Sequence, residues 1–455
     1  MLPLESIRDC FEGVIPAAMA TTGADGVPNI AYLSQVQYVD HEHVALSYQF
    51  FNKTRQNILA RPLARLQVTS PLTGAQYQLS MEFRRTETAG PLFENMKARL
   101  AGIASHTGMA NVFRLLGADL FRVRLVTQVA GPSLPPPVRQ NLLPPLRDAV
   151  QRLACCADLE GLLAQTLDAL RNGFGVSHAM VLMADSVPER LYTVASCGYG
   201  ESGVGSEIPF GQGVIGVAAR ERAPIRIGHM TTDYAYSRAI RENLRQDNGA
   251  GDIDIEIPFP GLAAPHSQMA VPVIAGRRLL GVLYVESDED LRFGYDDEDA
   301  IAALATHLGA MICLLQGAAD EPVENPRDRA TTGAAPAPPA PLSPLAMDAL
   351  LVVRHFAGSD SIFLDEDYLI KGVAGAIFWA ILSDYEHSRR VTFSNRELRL
   401  DGRIRLPDIS DNLEARLLLL SRRLAERQAA VQLKKTGRGR FQLCVLRPVQ
   451  LVDQR

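Results

Sequence analysis

The densest cluster of reactive side chains in the N-terminal third is Asn52-Lys53-Thr54-Arg55 with Asn57, set where a β-rich run ends and a helical pattern begins. Free amides, the helix dipole and two cations converge at such a turn, which suits a phosphate-sized anion. A solvated helix cap has the same composition, so the turn alone leaves both readings open. A second motif, Gly211-Gln212-Gly213-Val214-Ile215-Gly216, carries the letters of a dinucleotide fingerprint. That site needs a preceding strand and a parallel βαβ unit. Here a turn-rich polar stretch precedes the glycines and no βαβ pattern follows, so the nucleotide reading is rejected. A third cluster comprises Arg396, Arg416, Arg422, Arg423, Lys435, Arg438 and Arg440, cations of the kind that contact nucleic-acid phosphates. No paired carboxylates or nucleophile with a nearby base stand out, so any catalysis would belong to a cofactor.

Cysteine and histidine add little. Cys197, His229 and His266 match no established metal-ligand spacing. The adjacent Cys155 and Cys156 read either as a thiol switch or as ordinary packing. Six cysteines without CxxC spacing, and no signal peptide, point to reduced thiols and a cytoplasmic protein. No apolar run suggests a membrane span, so no membrane partner is expected.

The chain has 455 residues and a formal net charge of −5. That average conceals a segregation. From Arg389 to Arg447 there are 15 Lys and Arg against 6 Asp and Glu, a surplus of +9 on an otherwise acidic chain. One C-terminal region is thus suited to nucleic acid and the rest is not.

Two proline-rich stretches divide the chain. Six of sixteen residues from Gly131 to Leu146 are Pro, which marks a short stiff linker. Ala and Pro fill fourteen of twenty-eight positions from Ala318 to Leu345, a composition expected of a longer mobile tether. The expected domains are residues 1–130, 147–317 and 346–455. In the first, short runs at 17–21, 30–39, 43–49, 64–70, 76–85 and 120–129, with a helix near 92–104, predict a small all-β barrel. In the second, an α-β-β…β-β-α order, opening with Asp158 as N-cap, predicts an α+β sensor-like layout. In the third, helices at about 371–385, 394–398 and 411–427 precede two β-like runs around Thr436-Gly437-Arg438-Gly439. Ser394 with Glu397 forms a capping box there.

The first domain resembles the pyridoxamine-phosphate-oxidase-like split barrel on residues 15–21, 28–36 and the 52–62 turn and helix. That likeness implies FMN at a homodimer interface, with Asn52, Lys53, Thr54, Arg55 and Asn57 holding the phosphate beside Ser34 and Ser47. Relatives of the fold also hold haem, for which His41, His43 and His106 are available, or deazaflavin, or no ligand. The second domain resembles the GAF family on the Gly213–Arg220 turn and helix and the Met269–Glu286 strand pair, which implies binding of a small-molecule signal or dimerisation. The long segment 230–268 could form a lid over that site. The third resembles the winged-helix DNA-binding domain of two-component response regulators, with 412–424 as recognition helix and 435–443 as wing. Leu418 and Leu419 stand where those regulators often carry basic residues, so the helix could read bases weakly or meet a protein. The whole is expected to be a multidomain, homodimeric one-component transcriptional regulator that senses a redox or small-molecule signal and binds double-stranded DNA. The alternative is a flavin- or haem-dependent oxidoreductase with regulatory domains.

Overall fold

Strand β5 (Leu63–Thr69) alternates exposed and buried residues along its length, the pattern of a sheet covered on one face. It belongs to a curled antiparallel sheet with β1 (Ala17–Thr22), β2 (Pro28–Leu33), β3 (Val36–Tyr38), β4 (His43–Tyr48), β6 (Gln76–Glu87) and β7 (Gly117–Gln128). The strand order is β2-β1-β5-β6-β7-β4-β3. The expected single strand 30–39 is two strands: β2 and β3 lie at opposite ends of the strand order with two residues between them, so the sheet must curl to bring its edges together. Leu66, Leu79, Met81 and Phe121 fill the covered face, and a 3₁₀ segment (Leu4–Phe11) adds Leu4, Ile7 and Phe11. The coordinates are a computed structural model that describes residues 2–11, 13–33, 35–48, 53–106, 114–185, 187, 189–229, 257–320, 350–404, 406, 413–437 and 439–454.

The contacts define two units. The first contains Met1–Ala154, Ala164–Ala184 and Pro188–Gly309, so the barrel and most of the second domain form one body. Helix α2 (Pro91–His106) explains this. Its Met96 and Leu100 pack with Ala45 and Ala118 of the barrel, while its Ala98 lies in a core with Val214, Ile215 and Ile225. A Cβ on Gly102 would fall 2.4 Å from Ile225 Cγ2, so a bare backbone is needed at that approach. A buried triad completes the join: Glu298 accepts from Arg99 Nη2 at 2.5 Å and from Arg226 Nε at 2.9 Å.

The second sheet of this unit runs β10 (Glu207–Pro209), β9 (Arg190–Cys197), β8 (His178–Asp185), β13 (Arg278–Ser287), β12 (Ser267–Ala275) and β11 (Ile225–Ile227). The pairs β10–β9, β11–β12, β12–β13 and β13–β8 are antiparallel. That geometry agrees with rejecting a dinucleotide site at the 211–216 glycines, which instead open helix α5 (Gly213–Glu221). Helix α3 (Leu143–Ala154) begins inside the expected linker, because Pro144 and Pro145 sit in its first turn where a missing amide costs nothing. Helix α4 (Leu159–Asp168) is capped by Asp158, whose Oδ1 accepts the Gly161 amide at 2.9 Å. Helix α6 (Tyr295–Asp320) is, by length and composition alone, long and apolar enough to cross a membrane, unlike the sequence expectation. Its Ile301, Leu304, Ala305, Leu308 and Ile312 are buried, as in a core helix. The remainder of the expected tether, 321–345, lies outside the described residues.

The second unit contains Cys155–Leu163, Asp185–Val187 and Ala310–Arg455. Strands β14 (Leu351–Phe356), β15 (Ser361–Leu364) and β16 (Asp367–Ile370) form an antiparallel sheet, and β20 (Val449–Gln454) joins β14 in parallel. Helix α7 (Gly372–Ser388) leads to β17 (Thr392–Ser394), α8 (Asn395–Leu400) and α9 (Leu413–Glu426). A hairpin of β18 (Val431–Gly437) and β19 (Arg440–Val445) follows, with β17 alongside β19. The Ser394–Glu397 capping box forms as expected.

His355 ties the C-terminal strand into place. Its ring stacks on Trp379 with centroids 4.7 Å apart, Nδ1 lies 2.9 Å from Asp453 and Nε2 lies 3.0 Å from Asp360. Both ring nitrogens thus have a carboxylate oxygen within hydrogen-bond distance. His355→Ala is expected to lower the stability of this unit by on the order of 2 kcal/mol. Denaturant unfolding measures this; an unshifted midpoint would show that the bridge does not hold β20.

Candidate functional site

Strand register builds one site at the end of the second sheet. Gln268 pairs with Glu286, and Glu286 pairs with His178, so the three form a row across β12, β13 and β8. Tyr284 precedes Glu286 by two residues and shares its face. The Glu286 carboxylate is 1% exposed. It accepts from the Tyr284 hydroxyl at 2.9 Å, the Leu262 amide at 2.8 Å and Gln268 Nε2 at 3.4 Å. All three donors are neutral. No cation pairs with it among the described residues, an unusual state for a buried carboxylate.

Two loops close over this group. Phe259 meets the Tyr284 ring at 6.3 Å. Gly203, at φ +59°, leaves no room for a Cβ against Pro260. The Tyr199 ring stands 5.3 Å from His178. Burial, reinforced by Glu286, pushes the Tyr199 hydroxyl well above the usual phenol range. His178 Nδ1 is buried without a hydrogen-bond partner among the described residues. Cys197 lies nearby in sequence, at the end of β9, but burial raises its thiol pKa, which makes it a poor nucleophile at neutral pH. The chemistry on offer is recognition: a charged acceptor, a phenol and an imidazole. Sequence reading missed Glu286 as a site residue. Its one available signal was an acid ending an otherwise apolar strand.

The barrel turn is organised differently from the expected phosphate cradle. Arg55 Nη1 donates to both Asp119 oxygens at 2.7 and 2.9 Å, Nη2 donates to Thr86 Oγ1 at 3.0 Å, and the guanidinium covers the Tyr48 ring. Thr54 Oγ1 accepts from Asn29, and Asn57 Nδ2 donates to Thr21 Oγ1. Ser47 lies in β4, with its amide bonded to Gln35. Lys53 is exposed at the start of helix α1 (Lys53–Ala60). Ser34 and Asn52 lie outside the described residues. The only guanidinium of the set is therefore neutralised by Asp119, and a phosphate dianion beside that carboxylate would be repelled. As arranged, Arg55 is engaged by Asp119 in the place a phosphate would take. For haem, His43 is held by Asp40 at 2.9 Å, and the His106 side chain lies outside the described residues.

The remaining candidates also separate. His229 and His266 both approach Asp290, at 3.0 and 3.3 Å, and no group of three metal-binding side chains occurs among the described residues. Cys155 is exposed and Cys156 half-buried. Of the expected lid 230–268, residues 230–256 lie outside the described residues, as does Arg438. Arg396 and Arg440 are exposed. Arg423 is buried and donates to the Leu369 carbonyl and to Glu426, so it is a structural residue rather than a DNA contact. Arg416 is likewise buried, against Asp185. Lys435 contacts Asp158, and Arg422 is half-buried.

Residues 156–312 match the GAF domain family. The GAF domain of a phosphoenolpyruvate-protein phosphotransferase from Acinetobacter is similar at 21% identity and a TM-score of 0.31, over 39% of this chain and 97% of that one. A free methionine-R-sulfoxide reductase from Neisseria meningitidis is similar at 20% identity and a TM-score of 0.30, over 38% and 92%. An FMN-binding protein from Syntrophomonas wolfei is similar at 17% identity and a TM-score of 0.24, over 28% and 86%. No curated protein matches the chain.

Proposed function

We infer that the chain has a sensory and regulatory role, since its residues 156–312 match the GAF domain family. We propose that the chain is a transcriptional regulator: the GAF domain binds a small molecule at Glu286, and the C-terminal domain is a winged helix that binds double-stranded DNA. The observation that carries the sensing half is the enclosed Glu286 carboxylate, held by neutral donors and lacking a cation among the described residues. It suits a ligand with an ammonium, guanidinium or amide donor. The DNA half rests on three helices followed by a hairpin, with exposed Arg396 and Arg440 where β17 and β19 meet.

The barrel serves as a scaffold in this reading. Flavin binding would require Arg55 to exchange Asp119 for phosphate. A two-fold assembly, as a dimeric operator would require, is supported by Ile30 and Tyr32, which are 71% and 81% exposed on edge strand β2. A cytoplasmic location fits this reading, since the six cysteines form no disulfide. The described residues favour the oxidoreductase reading less, since burial raises the Cys197 thiol pKa and Thr54, Arg55 and Asn57 of the turn bond to internal partners.

A thermal-shift screen of amines, guanidines and amides tests the sensing site. A hydrogen bond to a charged group is worth about 1.5–3 kcal/mol. The binding compounds should raise the wild-type midpoint and leave Glu286→Gln nearly unmoved. Equal shifts in both proteins would place the ligand elsewhere.

A further inference from the structure

The surface of a winged helix that meets DNA lies on its recognition helix and wing. On α9, Glu414, Leu417, Leu418 and Ser421 recur at i, i+3, i+4 and i+7 and so share one face. With hairpin residues Leu433 and Phe441 they line a cavity of about 150 Å³. Leu159 and Glu160, from the first turn of α4, form part of the same lining. These residues all belong to the second unit.

Charge complementarity frames the cavity. Lys435 Nζ lies 2.8 Å from Asp158 Oδ2. Arg416 Nη2 donates to Asp185 Oδ2 at 2.7 Å, with both side chains largely buried. Burial pulls the Arg422 pKa down, and the nearby charge of Glu160 opposes that fall. Two cations that the sequence nominates for phosphate contact are therefore paired with carboxylates of the segments 155–163 and 185–187, and a third feels the charge of Glu160.

We infer that Asp158, Glu160 and Asp185 occupy the positions of DNA phosphates, so that these segments and a duplex compete for one surface of the C-terminal domain. The arrangement described is the DNA-excluding one. The inference deepens the proposed function and rests on its DNA-binding half. It also accounts for the apolar residues at Leu417 and Leu418: they receive a protein segment, with Leu159 buried beside them.

The test uses the full chain with Asp158→Asn, Glu160→Gln and Asp185→Asn combined. Asn retains the helix-capping ability of Asp158, so α4 keeps its start. Binding to a fluorescent duplex at fixed low salt is read by anisotropy, and amide exchange is read across residues 413–437 and 439–445. The expected result is at least a tenfold gain in affinity, with faster exchange along α9 and the hairpin. Should the Asp185 change unfold the domain by stranding Arg416, the pair Asp158→Asn with Glu160→Gln is expected to give a smaller gain in the same direction. Equal affinity of variant and wild type would overturn the competition and leave the DNA reading standing. Binding by neither protein would overturn the DNA reading and the competition with it.

Discussion

Replacing Glu298 by Ala is expected to cost the first unit about 3–5 kcal/mol, the penalty for stranding buried charge. Arg226 is 8% exposed in its side chain and Arg99 is 26% exposed, so two guanidinium groups would face each other without their shared anion. The effect has a pH signature. Burial resists ionisation of Glu298, but Arg99 and Arg226 outweigh it and hold the carboxyl below its ordinary range. A depressed folded-state pKa stabilises the protein above the unfolded value and loses that contribution as pH falls through the folded one. Wild-type stability should therefore decline in acid more steeply than that of Glu298→Gln. Denaturant titration at several pH values reads both effects. A change below about 1 kcal/mol, the range of an exposed pair, would show that barrel and GAF domain are not locked together.

Removing Arg396 and Arg440 together is expected to weaken duplex binding at low salt and to lower the slope of log K against log salt by about 2, one for each lost phosphate contact. Both side chains are exposed, and the pairing of Ser394 with Arg440 brings helix α8 and the hairpin tip together. Arg423→Ala should behave differently. Its guanidinium is internal, bonded to the Leu369 carbonyl, so its loss should lower stability without changing the salt slope. Anisotropy titrations across a salt series separate the two outcomes. An unchanged slope in the Arg396–Arg440 double variant would remove those residues from the interface.

Local rules carried most of the element reading. Alternation marked the barrel strands, Asp158 and the Ser394–Glu397 box marked helix starts, and apolar runs marked β12 and β13. What escaped was tertiary. Ala98 and Gly102 are unremarkable small residues in sequence, yet they let one helix serve two cores. Leu413, Leu417, Leu420 and Leu424 form a stripe at helical spacing, but Leu417 is only half-buried and turns with Leu418 toward a second partner. Arg416 and Arg423 lay off that stripe and read as solvent-facing for the same reason: a helix wheel shows one face and cannot count the neighbours. The phosphate turn was legible as a charge cluster, while Asp119, the acid that neutralises it, lies 64 residues from Arg55 in the chain. Glu286 was hidden because a single acid closing an apolar strand usually faces water.

The central claim, that this chain senses a small molecule at Glu286 and not a flavin in the barrel, is tested most directly by native mass spectrometry of the intact protein. The account predicts that wild type retains or acquires one non-flavin small molecule per chain and that Glu286→Gln loses it. A stoichiometric FMN mass that persists in Glu286→Gln and disappears in Lys53→Ala would contradict it.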